Sequence, residues 1–198
     1  MASWTPIPGE TPIDDLSGLK LKTVRTRAEL NVVEAENVLE AVVKYLAARP
    51  NRRLAPFNLP WARRLHREMF GKVWNWAGQF RTRDLNLGIP WYQVPEGLEN
   101  LLEDLRAWEQ GGAPLVEQAA RLHYRAVHIH PFVNGNGRWS RMLANIWLKQ
   151  HDAAPVAWPE ETIGDASPIR DEYLAAIRLA DQGDDGPLLE LHARFTPK

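Results

Sequence analysis

Leu98, Leu101, Leu102, Leu105 and Trp108 recur at i, i+3, i+4, i+7 and i+10, a spacing that one face of an α-helix satisfies and a β-strand does not. Pro95 stands just ahead of this run, where a missing N–H is harmless, and Gly111-Gly112 closes it. The same punctuation recurs along the chain. Thr26 and Glu29 have the spacing of a capping box. The helix they open should reach Ala48, with Leu30, Val33, Val38, Ala41, Val42 and Tyr45 inward and Glu34, Glu40 and Lys44 on other faces. Pro60 opens a second helix that stripes Trp61, Leu65, Met69 and Val73 and closes at Trp74 and Trp76. Further helices are predicted from Ala113-Pro114 to His128, from Arg138 to Gln150, from Pro168 to Ala180 and from Pro187 to Phe195. Only Phe80 to Val94 reads as extended, because Asn86-Leu87-Gly88 and Ile89-Pro90 are turn formers between short segments; a hairpin or loop is expected there. The fold class is mainly α.

Composition narrows the function. Lys plus Arg number 24 and Asp plus Glu 25, a formal charge of -1, so no broad basic field is available for a nucleic acid or an anionic membrane. The absence of cysteine excludes disulfides, thiolate metal sites and a cysteine nucleophile, and fits a reducing compartment. The first residues lack the basic and apolar regions of a signal peptide, and no stretch is apolar enough to span a bilayer, which leads to the expectation of a cytoplasmic protein. Residues 1–22 read as an irregular arm that drapes over the fold or moves freely, and 23–198 as one domain without repeats or long linkers.

The chemistry gathers at His130-Pro131-Phe132-Val133-Asn134-Gly135-Asn136-Gly137-Arg138, between two predicted helices. Pro131 forbids one helix from running into the next, and Gly135 and Gly137 allow positive φ and close approach of a ligand. Successive N–H groups can then face one concavity at the positive end of the following helix, which is an anion site in physical terms. Arg138 and Arg141, three residues apart, fall on one helix face opposite the apolar residues, with Asn145 a turn further on, and two guanidinium groups suit a polyphosphate. His130 is the group beside this loop whose ordinary pKa lets it take up a proton near neutrality, so phosphoryl or nucleotidyl transfer is indicated. A Gly-Asn-Gly between helices also serves as a plain turn, and a histidine at a helix end also serves as a packing residue. His66, His123 and His128 make no metal set with His130.

His130 to Arg141 resembles the signature of the Fic family, H-P-F-x-[D/E]-G-N-G-R-x-x-R, at every position but one. Leu65-His66-Arg67, Val73 through Gly78, Arg81, Asp84 and Gly88 resemble the segment leading into the Fic flap, so the likeness spans most of residues 25–150. Arg27-Ala28-Glu29-Leu30-Asn31 and Arg83 through Gly88 are similar to the mobile-element-associated subgroup called mobile mystery protein B. The resemblance implies a Fic-type helical bundle with a small β-hairpin flap. It implies a protein adenylyltransferase, moving AMP from ATP to a Ser, Thr or Tyr hydroxyl of a target protein. His130 would be the general base, Gly135, Asn136 and Gly137 would hold phosphates, Arg138 and Arg141 would neutralise the β- and γ-phosphates, and Phe132 would anchor the loop.

Asn134 is the departure: the family places there an acidic residue that binds Mg²⁺, and an amide brings no negative charge. Mg²⁺ is therefore expected to bind mainly through the nucleotide, with weak activity. The family's inhibitory motif, [S/T]-x-x-x-E-[G/N], whose glutamate pairs with the second arginine, is met by Glu36-Asn37 with Val32 at the Ser/Thr position; Glu34 is the substitute. Ile89, Pro90, Trp91, Tyr92 and Gln93 would form the flap that docks a target segment by strand addition, or else cover the core. Trp74, Trp76, Trp139 and Trp147 follow helix stripes and read as core. Two rivals stay open: a Fic enzyme that uses another nucleotide or phosphate donor or removes AMP, and a catalytically weak nucleotide-binding module.

Overall fold

The computed structural model describes residues 16–163 and 167–197. Helix α1, Arg27–Leu46, starts at Thr26, whose side chain accepts from the Glu29 N–H while the Glu29 carboxylate accepts from the Thr26 N–H. Helix α2, Leu59–Phe70, is capped by Asn58, whose Oδ1 accepts from the Trp61 N–H at 2.9 Å. Helix α3, Val94–Gln110, has Pro95 in its first turn. The segment after the Gly111-Gly112 stop leads to α4, Leu115–Ile129, and the signature loop leads to α5, Asn136–Gln150. A single turn, α6 (Glu160–Ile163), precedes α7, Pro168–Ala180, and α8, Gly186–Phe195. The described residues form a helical fold without a sheet; an isolated bridge joins Leu19 to Trp74.

Helix α5 lies at the centre, packed on α4 along its length and on α1 and α2 at its flank. Its side chains explain the position: Trp139, Leu143, Ala144, Ile146 and Trp147 are essentially inaccessible to solvent. The tryptophans are core residues with their indole N–H groups satisfied. Trp139 donates to the Ala62 carbonyl at 3.1 Å, Trp147 to Gln118 Oε1 at 3.1 Å, and Trp74 to Glu34 Oε1 at 2.5 Å. Helices α7 and α8 cover the far side of α4, and the Ala157 N–H donates to the Phe195 carbonyl at 2.7 Å, tying the last helix to the approach to α6.

Three expectations change. Glu34 does not face away from the core: Leu30, Glu34, Asn37, Ala41 and Tyr45 form the buried stripe of α1, because they repeat at about one helical turn. Helix α2 stops at Phe70, and Val73 and Trp74 enter the core from the turn that follows. There, Lys20 N–H donates to the Val73 carbonyl and Asn75 N–H to that of Gly18, so the part of the arm from 16 to 22 is docked; the rest of it lies outside the described residues. Finally, Phe80 to Val94 contains no strand pairing. It consists of bends up to Pro90 and then a 3-10 turn, Trp91–Gln93, that runs directly into α3.

Trp139→Ala should remove both a fully buried ring and the hydrogen bond between α5 and α2. The expected loss is roughly 3–5 kcal/mol of unfolding free energy, read from urea melts at neutral pH.

Candidate active site

Helix α4 ends with His130 in the left-handed region, φ 51° and ψ 61°, which is uncommon for a residue with a side chain and must be held by its surroundings. Arg81 holds it. This arginine is itself buried, and its Nε donates to the His130 carbonyl at 2.7 Å while its backbone N–H donates to the Pro131 carbonyl at 3.0 Å. The rest of the guanidinium donates to the Ile89 carbonyl, to that of Arg83 at 3.2 Å and to that of Ile129 at 3.4 Å. One cation thus neutralises the negative end of α4 and fastens the 82–90 segment to it. Gly88, at φ +96°, completes the fit, since a Cβ there would lie 2.6 Å from His130 Cβ. Burial, then the Arg81 charge, lowers the His130 pKa to about 4, against a smaller opposing effect from its contact with the Val127 backbone. At neutral pH His130 is therefore an unprotonated imidazole able to accept a proton.

The loop that follows is locked from within. Asn136 Oδ1 accepts from the Phe132 N–H at 2.9 Å and Asn136 Nδ2 donates to the Phe132 carbonyl at 2.8 Å. Phe132 is buried, stacked on His66 with ring centroids 3.7 Å apart and edge-on to Trp139. The Gly78 N–H donates to His66 Nδ1 at 3.0 Å, so the ring carries its hydrogen on Nε2 and donates it to the Asn134 carbonyl, also at 3.0 Å. Burial holds the His66 pKa at about 3, with Asn134 and Arg138 acting in opposite directions. Gly135 adopts φ +79°, and a Cβ on it would come within 2.7 Å of the Phe70 ring. Helix α5 then begins without a side-chain cap, so the N–H groups of its first turn, from Asn136, Gly137 and Arg138, face outward at the positive end of the helix. Asn134 Oδ1 is turned to the Gly135 N–H at 2.5 Å.

Both signature arginines meet carboxylates. Arg138 Nη2 lies 2.8 Å from Glu34 Oε2, and its guanidinium sits 4.7 Å over the Phe70 ring. Of the two glutamates weighed on α1, Glu34 reaches the loop and Glu36 is exposed to solvent. Two residues along a helix is about 200° of rotation, so both cannot share a face. Glu34 also pairs with the first arginine and not the second. Arg141 is buried, contrary to its expected place opposite the apolar stripe, and forms a two-pronged ion pair with Glu160: Nε to Oε1 at 2.7 Å, and Nη2 to Oε2. Asn145 is turned to the incoming chain, exchanging two 2.9 Å hydrogen bonds with the Val156 backbone and so placing the Glu160 turn.

The flap expectation is corrected in its form. Trp91, Tyr92 and Gln93 cannot serve as an open strand edge, because the Trp91 N–H donates to Asp84 Oδ1 at 2.8 Å and the Gln93 N–H to the Pro90 carbonyl at 2.9 Å. The Trp91 and Tyr92 rings are nonetheless exposed, while Ile89 is half-buried and Pro90 exposed. The other histidines are dispersed: His123 meets His192 and Tyr173, and His128 meets Asp181. Among the described residues no cluster of three or more histidine and acidic side chains could hold a metal.

Comparison with known proteins places this loop. Residues 56–148 match the model of the Fic/DOC family. The chain belongs to the Fic/DOC family. It is similar to the proteins named protein adenylyltransferase Fic of Drosophila mojavensis and Drosophila melanogaster, with 34% identity to each over 139 residues, 68% of this chain. The chain spans about a quarter of the length of these relatives, 26% and 27%. Among solved structures, Fic-1 of C. elegans matches 90% of this chain and 52% of its own at 27% identity and a TM-score of 0.68. BepC of Bartonella tribocorum with bound AMPPNP matches 91% and 93% at 21% identity and a TM-score of 0.67.

Three residues at the site were not singled out for roles from the sequence. Arg81 appeared only within the family likeness, and His66 there and among the histidines that make no metal set; an arginine or histidine in a loop or helix carries no local sign of burial. Glu160 carried no signal, because its partner lies 19 residues away in sequence. His66, His130 and His192 are held near pKa 3, 4 and 4 in the folded protein, each by burial first, against an ordinary 6.5. Between pH 6.5 and about 4 the unfolded chain therefore binds protons that the folded one does not, so stability rises with pH across this window and is lost as pH falls through it. The expected loss is on the order of 3 kcal/mol for each histidine, and urea midpoints unchanged between pH 7 and pH 4.5 would contradict it. Arg81→Gln should raise the His130 pKa toward 6.5, measured by NMR titration of the imidazole, because it removes the positive charge beside it.

Proposed function

We propose that this Fic domain transfers AMP from ATP to a hydroxyl of a protein target, with His130 as the general base. The observation that carries the reading is the juxtaposition of a neutral His130 with the uncapped start of α5 and with Arg138 and Arg141. A triphosphate placed on the N–H groups of Asn136, Gly137 and Arg138 puts its anionic oxygens at the positive helix end and within reach of the guanidinium groups. The target oxygen attacks the α-phosphorus and forms the new O–P bond. The bond from that phosphorus to the bridging oxygen breaks, and pyrophosphate leaves with the electron pair. The proton of the hydroxyl passes to His130, a role typically worth about 10²–10⁴-fold. Phe132 keeps the loop in register through His66 and Trp139.

The residues present do not suit a protein-held divalent cation. Asn134 offers an amide where a carboxylate would be needed, and its oxygen is already turned to the Gly135 N–H. No step is routed through a metal. The same amide favours slow turnover, and it keeps a second reading alive in which another phosphate donor is used or the domain binds nucleotide without transferring it.

Glu34 acts as a brake in this reading. Its carboxylate neutralises Arg138 while accepting from the Trp74 indole, so a phosphate group must displace a buried, doubly bonded anion. The target would meet the domain at the exposed Trp91 and Tyr92 rings beside the loop. No helix among the described residues is long and apolar enough to cross a membrane.

Purified wild-type, His130→Ala, Glu34→Gly and Glu36→Gly proteins incubated with α-labelled ATP and Mg²⁺ test the proposal by intact mass. An AMP adduct that disappears in His130→Ala, increases at least tenfold in Glu34→Gly and is unchanged in Glu36→Gly is the expected result. Bound ATP with no adduct in any variant would shift the assignment to a binding module or another donor.

A further inference from the structure

Glu34 is held from two sides, and one of its partners is fastened by a part of the chain that the proposed reaction does not use. Its Oε2 meets Arg138 Nη2 at 2.8 Å, and its Oε1 accepts from Trp74 Nε1 at 2.5 Å. Trp74 stands in the turn after α2, with its ring in the core, and its neighbours in sequence are tied to the stretch ahead of α1. The Lys20 N–H donates to the Val73 carbonyl at 2.8 Å and the Asn75 N–H to the Gly18 carbonyl at 2.9 Å, one on each side of Trp74, and Leu19 bridges to Trp74 itself. Lys20 Nζ adds a hydrogen bond to the Gly71 carbonyl at 2.5 Å. The rings continue the row. Trp76 stacks on Trp74 with centroids 5.0 Å apart, and buried Gly18 lies so close to Trp76 that a Cβ on it would fall 2.5 Å from Trp76 Cδ1.

A glutamate carboxylate keeps one plane only when both of its oxygens are engaged. Arg138 engages one, and the indole, which can only donate, engages the other. Moving the indole away leaves Oε1 buried without that donor, a cost carried only by the state in which Glu34 faces Arg138. The population of that state then falls, and a ligand that binds once Glu34 has withdrawn gains apparent affinity. Helix α1 itself is anchored elsewhere. Asn37, about one turn past Glu34, donates through Nδ2 to the Glu68 carbonyl at 2.9 Å and accepts at Oδ1 from the Lys72 N–H at 3.0 Å. A disturbance of residues 16–22 therefore falls on the Trp74 ring and leaves the register of α1 in place.

We propose that Trp74 is a positioning residue for the Glu34 brake and that residues 16–22 are the strap that keeps it in place, so that lifting the strap opens the Arg138 side of the site to a polyphosphate. This rests on the nucleotide reading of the site given above. It gives a hold over the site to a segment that precedes the stretch matched to the family, residues 56–148.

Trp74→Phe keeps a ring in the core and removes the donor, whereas Gly18→Ala leaves every group of the site unchanged and pushes the strap off Trp76. In titration calorimetry Trp74→Phe should bind ATP about tenfold more tightly than wild type, as for loss of one hydrogen bond to a charged group, and Gly18→Ala more tightly by up to the same factor. Neither should gain when combined with Glu34→Ala, which has no carboxylate left to release. Unchanged affinity in either variant, or an equal gain in the Glu34→Ala background, would overturn the strap. A second readout needs no ligand and does not depend on Trp74→Phe folding. In ¹⁵N-labelled protein the Trp74 indole N–H resonance should move in Gly18→Ala toward its position in Glu34→Ala, and a signal that stays at its wild-type position contradicts the proposal. If neither wild type nor Glu34→Ala binds ATP, the nucleotide reading of the site is refuted and the indole signal still decides the strap.

Discussion

The contact between the Arg81 guanidinium and the end of α4 is the one on which the arrangement depends. Helix α4 ends in carbonyls without helical partners at the residue that opens the loop, and His130 is in a backbone conformation that few L residues adopt unaided. A buried cation resolves both problems, because it sits at the helix dipole's negative end and ties four carbonyls from two segments to one rigid plane. The same charge disfavours a proton on His130. Structural and chemical demands therefore coincide: what secures the turn also leaves the imidazole in its basic form at neutral pH.

Around the start of α5 the protein supplies for itself the negative charge that the site is shaped to receive. An uncapped helix N-terminus with two arginines would be a strongly positive, poorly solvated cavity if left alone. Glu34 from α1 and Glu160 from α6 approach it from different parts of the chain and neutralise one arginine each. The two contacts differ in character. Glu34 is almost fully enclosed and doubly engaged, whereas the Glu160 side chain is half exposed, and a half-exposed carboxylate returns to water at much smaller cost. A polyphosphate should thus displace Glu160 readily and Glu34 with difficulty, which makes α1 the element with the greater hold over the site.

Most of the helical frame was legible because it is written locally. The Thr26 and Glu29 capping box and the prolines at 60, 95, 114, 168 and 187 mark helix beginnings within a few residues, and periodicity supplies most of the buried faces. The signature loop was legible for the same reason: His130 to Arg141 is contiguous. What could not be read was any feature settled by partners distant in sequence. Glu34 looked like a surface charge because charge is the usual mark of an outer face, yet Arg138 and the Trp74 indole, brought in from other elements, outweigh that preference. Turn formers from Asn86 to Pro90 suit a hairpin equally well, but Arg81 and Asp84 take up the backbone groups that a strand pair would have used.

Asn136 turns different groups to different tasks: its backbone N–H lies at the start of α5 and its side chain is bound inside the loop. A role in holding phosphate is expected of it, and its backbone N–H is indeed at the open end of α5, but its side chain is committed to the Phe132 backbone by two hydrogen bonds. Aspartate at this position could accept from the Phe132 N–H but would set a second oxygen against the Phe132 carbonyl, and alanine would leave both groups buried and unpaired. Only an amide closes this loop from both sides. The geometry of the anion cradle therefore depends on a side chain that faces away from it, in the same way that the charge state of His130 depends on an arginine behind the turn. Arg81, His66 and the Asn136 side chain, which hold His130 and the loop in place, are all buried, polar and hydrogen-bonded.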